Sequence, residues 1–207
     1  MADYILVLDE GTTSTRAMLF ASDGVLVASA QDALTQYYPQ SGWVEHDPRE
    51  IWDKTLACAQ AVLPKAGGAA SIAAIGITNQ RETVVAWDRA TGEPLTNAIV
   101  WQDRRTEPFC SELRSAGHEA GVQERTGLLL DPYFSGTKMR WMLDNVPDVK
   151  AAADKGTLAF GTVESWLVYK LTGGAAHISD ASNASRTLLM GLEDAQFDEG
   201  LCDLIGV

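Results

Sequence analysis

The stretch Tyr4-Ile5-Leu6-Val7-Leu8-Asp9-Glu10-Gly11-Thr12-Thr13-Ser14-Thr15-Arg16-Ala17-Met18-Leu19-Phe20-Ala21 decides the fold class. Two β-rich apolar runs, residues 4–9 and 15–21, flank a turn of glutamate, glycine and hydroxyl residues, a pattern that predicts a hairpin. Asp23-Gly24 separates it from residues 25–29, so a three-stranded antiparallel meander is expected. Asp47-Pro48-Arg49-Glu50 then places an acceptor at a helix N-cap, proline at the first helical position and glutamate at the third. The helix should run to about Leu63, with Ile51, Trp52, Thr55, Leu56, Ala59, Val62 and Leu63 on one face. Residues 72–78 read as a buried strand. Strands at 84–87 and 98–101 follow, then helices near 105–116, at 135–144, at 162–171 and from Asp198. This order makes the class α/β with a mixed sheet.

The hairpin turn also carries chemistry. Thr12, Thr13, Ser14 and Thr15 put four hydroxyls beside a flexible glycine, Arg16 adds positive charge, and Asp9 can hold Mg²⁺ directly or through water. Such a turn suits phosphate. The same residues also make an ordinary surface turn, and a lone Asp-x-Gly-Thr does not separate the two readings. No Gly-x-x-x-x-Gly-Lys-Ser/Thr and no Gly-x-Gly-x-x-Gly after a strand competes for the role.

Asn79-Gln80-Arg81-Glu82-Thr83 follows the carboxyl end of a predicted strand, where open α/β sheets place ligands. Arg81 and Glu82 offer paired donors and acceptors that suit the hydroxyls of a small polyol. As a surface ion pair the two would contribute only about 0 to 1 kcal/mol. Trp101 and Tyr133 supply an aromatic face and a hydroxyl, although single aromatic residues more often serve the core.

Composition narrows the partners. The 207 residues are 46% hydrophobic and 21% charged, which predicts a folded chain of one domain, or one and a fragment. A formal charge of -12 argues against nucleic acid and anionic lipid surfaces as partners. Cys58, Cys110 and Cys202 are too dispersed for a disulfide framework or a zinc site and read as reduced thiols. With no export signal in Met-Ala-Asp-Tyr and no apolar run near the roughly 18 residues of a spanning helix, the expected location is the cytoplasm. His46, His118 and His177 are dispersed and read as structural or exposed groups.

Taken together, seven landmarks in order make the chain resemble the FGGY carbohydrate kinases, and among them the branch that phosphorylates glycerol. They are residues 9–16, Gly42-Trp43-Val44-Glu45-His46-Asp47-Pro48, residues 79–83, 99–105 and 131–138, Phe160-Gly161-Thr162-Val163, and Asn183-Ala184-Ser185-Arg186-Thr187. The resemblance implies a ribonuclease-H-like, actin-like ATPase fold, with ATP and polyol held between two such domains. It implies that Arg81, Glu82, Trp101 and Tyr133 line a glycerol pocket. It likewise implies phosphate contacts from Thr12, Thr13, Ser14 and Arg16, with Asp9 near Mg²⁺. Glu10 stands where the family usually has glutamine, and its effect on phosphate depends on whether its side chain points toward the nucleotide.

The implied reaction moves the ATP γ-phosphoryl group to glycerol, giving glycerol 3-phosphate, in an assembly of identical copies. The catalytic aspartate and the second domain are expected past Val207, so residues 1–207 are read as an incomplete N-terminal kinase domain, inactive alone. Rival readings are a kinase of xylulose or gluconate, a non-catalytic actin-like nucleotide-binding module, and a nuclease. The nuclease would need clustered acids.

Overall fold

The computed structural model describes residues 3–207; the reading of the amino terminus at Met1 and Ala2 lies outside them. The strands are β1 (Tyr4–Glu10), β2 (Ser14–Ala21), β3 (Leu26–Ala33), β4 (Glu45–His46), β5 (Ile72–Asn79), β6 (Val84–Asp88), β7 (Glu93–Pro94), β8 (Ala98–Ile99) and β9 (Leu158–Thr162). The helices are α1 (Pro48–Val62), α2 (Glu107–Ser115), α3 (Glu119–Thr126), α4 (Ser135–Asn145), α5 (Pro147–Asp154), α6 (Val163–Leu171), α7 (Ala181–Ala184) and α8 (Glu199–Ile205). The chain forms two compact units. One holds Met1–Gln36 and His46–Gln80, the other Tyr37–Glu45 and Arg81–Val207. No Pro- or Ser-rich linker marks the crossings, which is why composition did not reveal them.

The first unit is built on the expected meander. Its sheet has the order β3-β2-β1-β5, with β5 parallel to β1 and the other pairs antiparallel. Alternation sends Leu6, Leu8, Ala17 and Leu19 to one face, where Cys58, Ala59 and Val62 of α1 cover them. The helix opens as its sequence dictates, with Asp47 Oδ1 accepting from Arg49 N at 2.8 Å. Glu50 does not close the capping box; it accepts from Thr35 Oγ1 at 2.9 Å and pairs with Lys54 at 2.8 Å. The strand β5 is not buried as expected. It lies at the sheet edge, and Ile75 is 48% exposed.

In the second unit β6 is central and covered on both faces. It pairs antiparallel with β9 along its length, and with β7 and β8 near its two ends. Val84 and Ala86 belong to a core with Met142 of α4, Val149 of α5 and Leu201 of α8. Trp87 points the other way, with ring centroids 5.4 Å from both Trp166 and Tyr169 of α6. A two-sided strand has no polar alternation, so residues 84–87 look uniformly apolar in sequence. Gly161 is required here, because a Cβ would stand 2.7 Å from Ser165 Cβ and 2.9 Å from the Trp87 ring. Among the described residues, no helix is long and apolar enough to cross a membrane.

Candidate active site

The polar turn of the first unit follows from strand alternation. Asp9 and Arg16 are Cα partners across the hairpin, and Arg16 and Gln31 across the next pair, so the three side chains share one face. Arg16 Nη1 lies 3.7 Å from Asp9 Oδ2. Gln31 Oε1 accepts from Arg16 Nε and Nη2 at 3.2 and 3.0 Å, while its Nε2 donates to Ser14 Oγ at 2.9 Å. Gly11 N donates to the Ser14 carbonyl at 3.0 Å and closes the turn, and a Cβ on Gly11 would approach that oxygen to 3.2 Å. Gln36 Nε2 donates to the Thr12 carbonyl at 2.7 Å and Leu34 N to the Thr13 carbonyl at 2.9 Å. The backbone of the turn is thus tied down, while Thr13 is exposed and Thr12, Ser14 and Arg16 are half-buried.

Glu10 faces the opposite way. It is fully buried, with Oε2 accepting from Thr55 Oγ1 of α1 at 2.7 Å. Oε1 has no partner among the described residues. Burial pushes this carboxyl up to about 7, and neighbouring Asp9 adds to the rise against the hydroxyls of Thr15 and Thr55. Its charge therefore does not project with Asp9 and Arg16. His46, also buried, bonds to Gln36 Oε1 at 2.9 Å and Gln80 Nε2 at 3.2 Å, and burial lowers it to about 4. It is a neutral structural histidine.

The second unit gathers Glu82, Trp101 and Tyr133. The antiparallel pairing of Val84 with Ile99 brings Thr83, just before β6, to the same strand ends as Val100 and Trp101, which follow β8. Trp101 N accordingly donates to Thr83 Oγ1 at 3.2 Å. The Trp101 and Tyr133 rings meet edge to face with centroids 5.4 Å apart. Glu82 is 3% exposed. Its ion-pair partner is Arg186, whose Nε donates to Oε1 at 2.7 Å, whereas the neighbouring Arg81 is exposed. The expected pairing of Arg81 with Glu82 is therefore not formed: the turn that carries both leaves Arg81 exposed and buries Glu82 against Arg186.

Two buried cations organise the surrounding loops. Lys138 is completely buried and donates to the carbonyls of Pro132, Tyr133 and Phe134 at 2.6, 2.6 and 3.0 Å. Burial draws its ammonium down to about 7, opposed by the nearby Asp103 and Glu82 carboxylates. It holds the loop that carries Tyr133. The guanidinium of Arg105 lies against both Trp43 and Trp141, 3.7 and 4.6 Å from their ring centres, and its Nη2 bonds Glu45 Oε1 at 2.7 Å and Asp103 Oδ2 at 2.8 Å. Asp103 also accepts from Val44 N at 2.7 Å, which explains why the Trp43-Val44-Glu45 and Asp103-Arg104-Arg105 landmarks occur together. Neither Lys138 nor Arg105 announces burial in sequence, because long cations usually stay at the surface.

Comparison with known proteins identifies the family and the fold. The model of the FGGY family of carbohydrate kinases, N-terminal domain, matches residues 4–207. A glycerol kinase of Delftia acidovorans is 58% identical over 205 residues, which is 99% of this chain and 41% of that protein. The crystal structure of Plasmodium falciparum glycerol kinase with ADP superposes with a TM-score of 0.91 at 36% identity, covering 98% of this chain and 40% of the other. A xylulose kinase structure from Rhodospirillum rubrum gives 0.86 at 26% identity, covering 99% of this chain and 41% of the other. The chain spans about two fifths of the length of these relatives, with the mixed α/β, actin-like fold of their class. This chain belongs to the FGGY family of carbohydrate kinases, as its N-terminal domain.

Proposed function

We propose that this chain serves ATP-dependent phosphorylation of glycerol, with Arg81, Glu82, Trp101 and Tyr133 binding the polyol. The observation that carries the reading is that the guanidinium of Arg186, paired with the buried Glu82 carboxylate, stands 6.0 Å from the ring centre of Tyr133, which meets Trp101 edge to face. A fixed carboxylate accepts hydroxyl protons, and the aromatic edge covers the carbon chain of a short triol. The relative named a glycerol kinase shares 58% of positions, against 26% for the xylulose kinase, which favours glycerol over a pentulose.

Thr12, Thr13, Ser14 and Arg16 are assigned to the nucleotide phosphates. Asp9 is assigned to Mg²⁺, an ion commonly held by one or two carboxylates together with phosphates and water. The residues fit that role: the Asp9 side chain is 34% exposed beside an accessible turn. When bound, the ion would neutralise charge on the transferring group. Three free thiols and an ATP requirement suit the cytoplasm.

Because the relatives are more than twice as long, we assign the complete transfer to the longer protein and only part of the binding to these residues. Steady-state kinetics with glycerol and with xylulose test the substrate assignment in a protein carrying this domain and the remainder of the relatives' length. Preference for glycerol is expected; equal or better turnover of xylulose removes it.

A further inference from the structure

Arg186 lies in the Asn183-Ala184-Ser185-Arg186-Thr187 landmark. Its Nε donates to Glu82 Oε1 at 2.7 Å, and its guanidinium carbon stands 4.9 Å from the Phe134 ring centre and 6.0 Å from that of Tyr133. The backbone here is equally tied. Ser135 N donates to the Arg186 carbonyl at 3.3 Å, Gly136 N to the Thr187 carbonyl at 2.7 Å, and Ser135 Oγ to the Glu82 carbonyl at 3.2 Å. The start of α4 therefore joins the Glu82 strand end, the Tyr133 loop and the Arg186 segment.

The Glu82 side chain is 4% exposed and that of Arg186 24%. A carboxylate so buried needs a partner, and its terminal torsion is broad unless something holds it. The bond to Nε engages Oε1 alone and leaves Oε2 outside it. We infer that Arg186 is a positioning residue of the polyol site, fixing the Glu82 carboxylate so that Oε2 accepts a hydroxyl of a small vicinal polyol. The inference rests on the polyol reading above.

The test is a glycerol titration of a protein carrying this domain and the remainder of the relatives' length, followed by NMR through the Trp101 indole N–H, in unsubstituted, Arg186→Gln, Arg186→Lys, Glu82→Gln and doubly substituted forms. Arg186→Gln should raise the glycerol Kd about tenfold or more, the usual scale for losing a hydrogen bond to a charged group. Arg186→Lys, which keeps the cation without the planar fork, should recover part of that loss. In the Glu82→Gln background the Arg186→Gln change should have no further effect, as expected of a residue acting through Glu82. An unchanged Kd in Arg186→Gln overturns the inference and leaves the polyol reading standing. So does an equal loss in the Glu82→Gln background, which would mark a direct contact or a general scaffold. If Arg186→Gln does not fold, Arg186→Lys with and without Glu82→Gln decides by the same comparison. No glycerol binding by the unsubstituted longer protein overturns the polyol reading and this inference with it.

Discussion

Thr55 Oγ1 stands 2.7 Å from both Glu10 Oε2 and the Ile51 carbonyl oxygen, and 3.1 Å from Thr15 Oγ1. One hydroxyl proton serves one acceptor at a time, so the buried Glu10 carboxylate is left short of donors. Burial pushes it from 4.5 up to about 7. The folded state then holds a proton that the unfolded state has released, and stability falls as pH rises from about 4.5 to about 7. His46, lowered from 6.5 to about 4, has the opposite slope: its contribution is complete above 6.5 and is lost as pH falls toward 4. Glu10→Gln isolates the first effect. Urea unfolding at pH 5 and pH 8 should show the variant more stable at the higher pH, by roughly 1 to 3 kcal/mol, with the gap shrinking at the lower. A gap independent of pH would remove Glu10 from the account.

Arg81→Ala should separate function from folding. Arg81 is exposed and Glu82 keeps Arg186 as its partner, so stability should change by less than about 0.5 kcal/mol. On the polyol reading, glycerol affinity should nevertheless fall about tenfold. Thermal melting beside a glycerol titration checks both, and a large loss of stability would show that Arg81 carries a structural load.

Asp9→Asn should likewise spare the fold. The Asp9 and Arg16 side chains are 34% and 40% exposed, and such pairs contribute about 0 to 1 kcal/mol. Phosphoryl transfer by the longer protein should drop by about a hundredfold or more, the scale of losing preorganised charge at a reacting group. Near-normal turnover would reduce Asp9 to a turn residue.

Gly136→Ala should destabilise the second unit. A Cβ there would lie 2.6 Å from the Thr187 carbonyl, so α4 and the segment after Arg186 must move apart. The expected cost is about 1 to 3 kcal/mol. Because that contact also sets Arg186 against Glu82, glycerol affinity should weaken in the folded variant. A wild-type urea midpoint would mean the two segments are not in contact.

Local rules made the hairpin, the α1 start and the apolar strands legible, since alternation, the Asp47-Pro48 cap and turn residues act within a few positions. The same rules gave no notice of α3, α5 and β9, and overstated the burial of β5, because edge or centre is settled by distant neighbours. For the candidate site, ordered landmarks pointed to Glu82, Trp101 and Tyr133, and the Trp101 and Tyr133 rings meet in the fold. Sequence by itself determined the α/β class, the phosphate-suited turn and the family to which these landmarks point. Tertiary structure alone decided that Glu10 turns inward, that Lys138 is buried under the Tyr133 loop, and that Glu82 is paired with a residue 104 positions away rather than with its neighbour. An ion pair forms where backbones bring charges together, and over that separation the pairing of β9 with β6 and the bonds from Ser135 and Gly136 at the start of α4 to the Arg186 and Thr187 carbonyls fix where the chain returns.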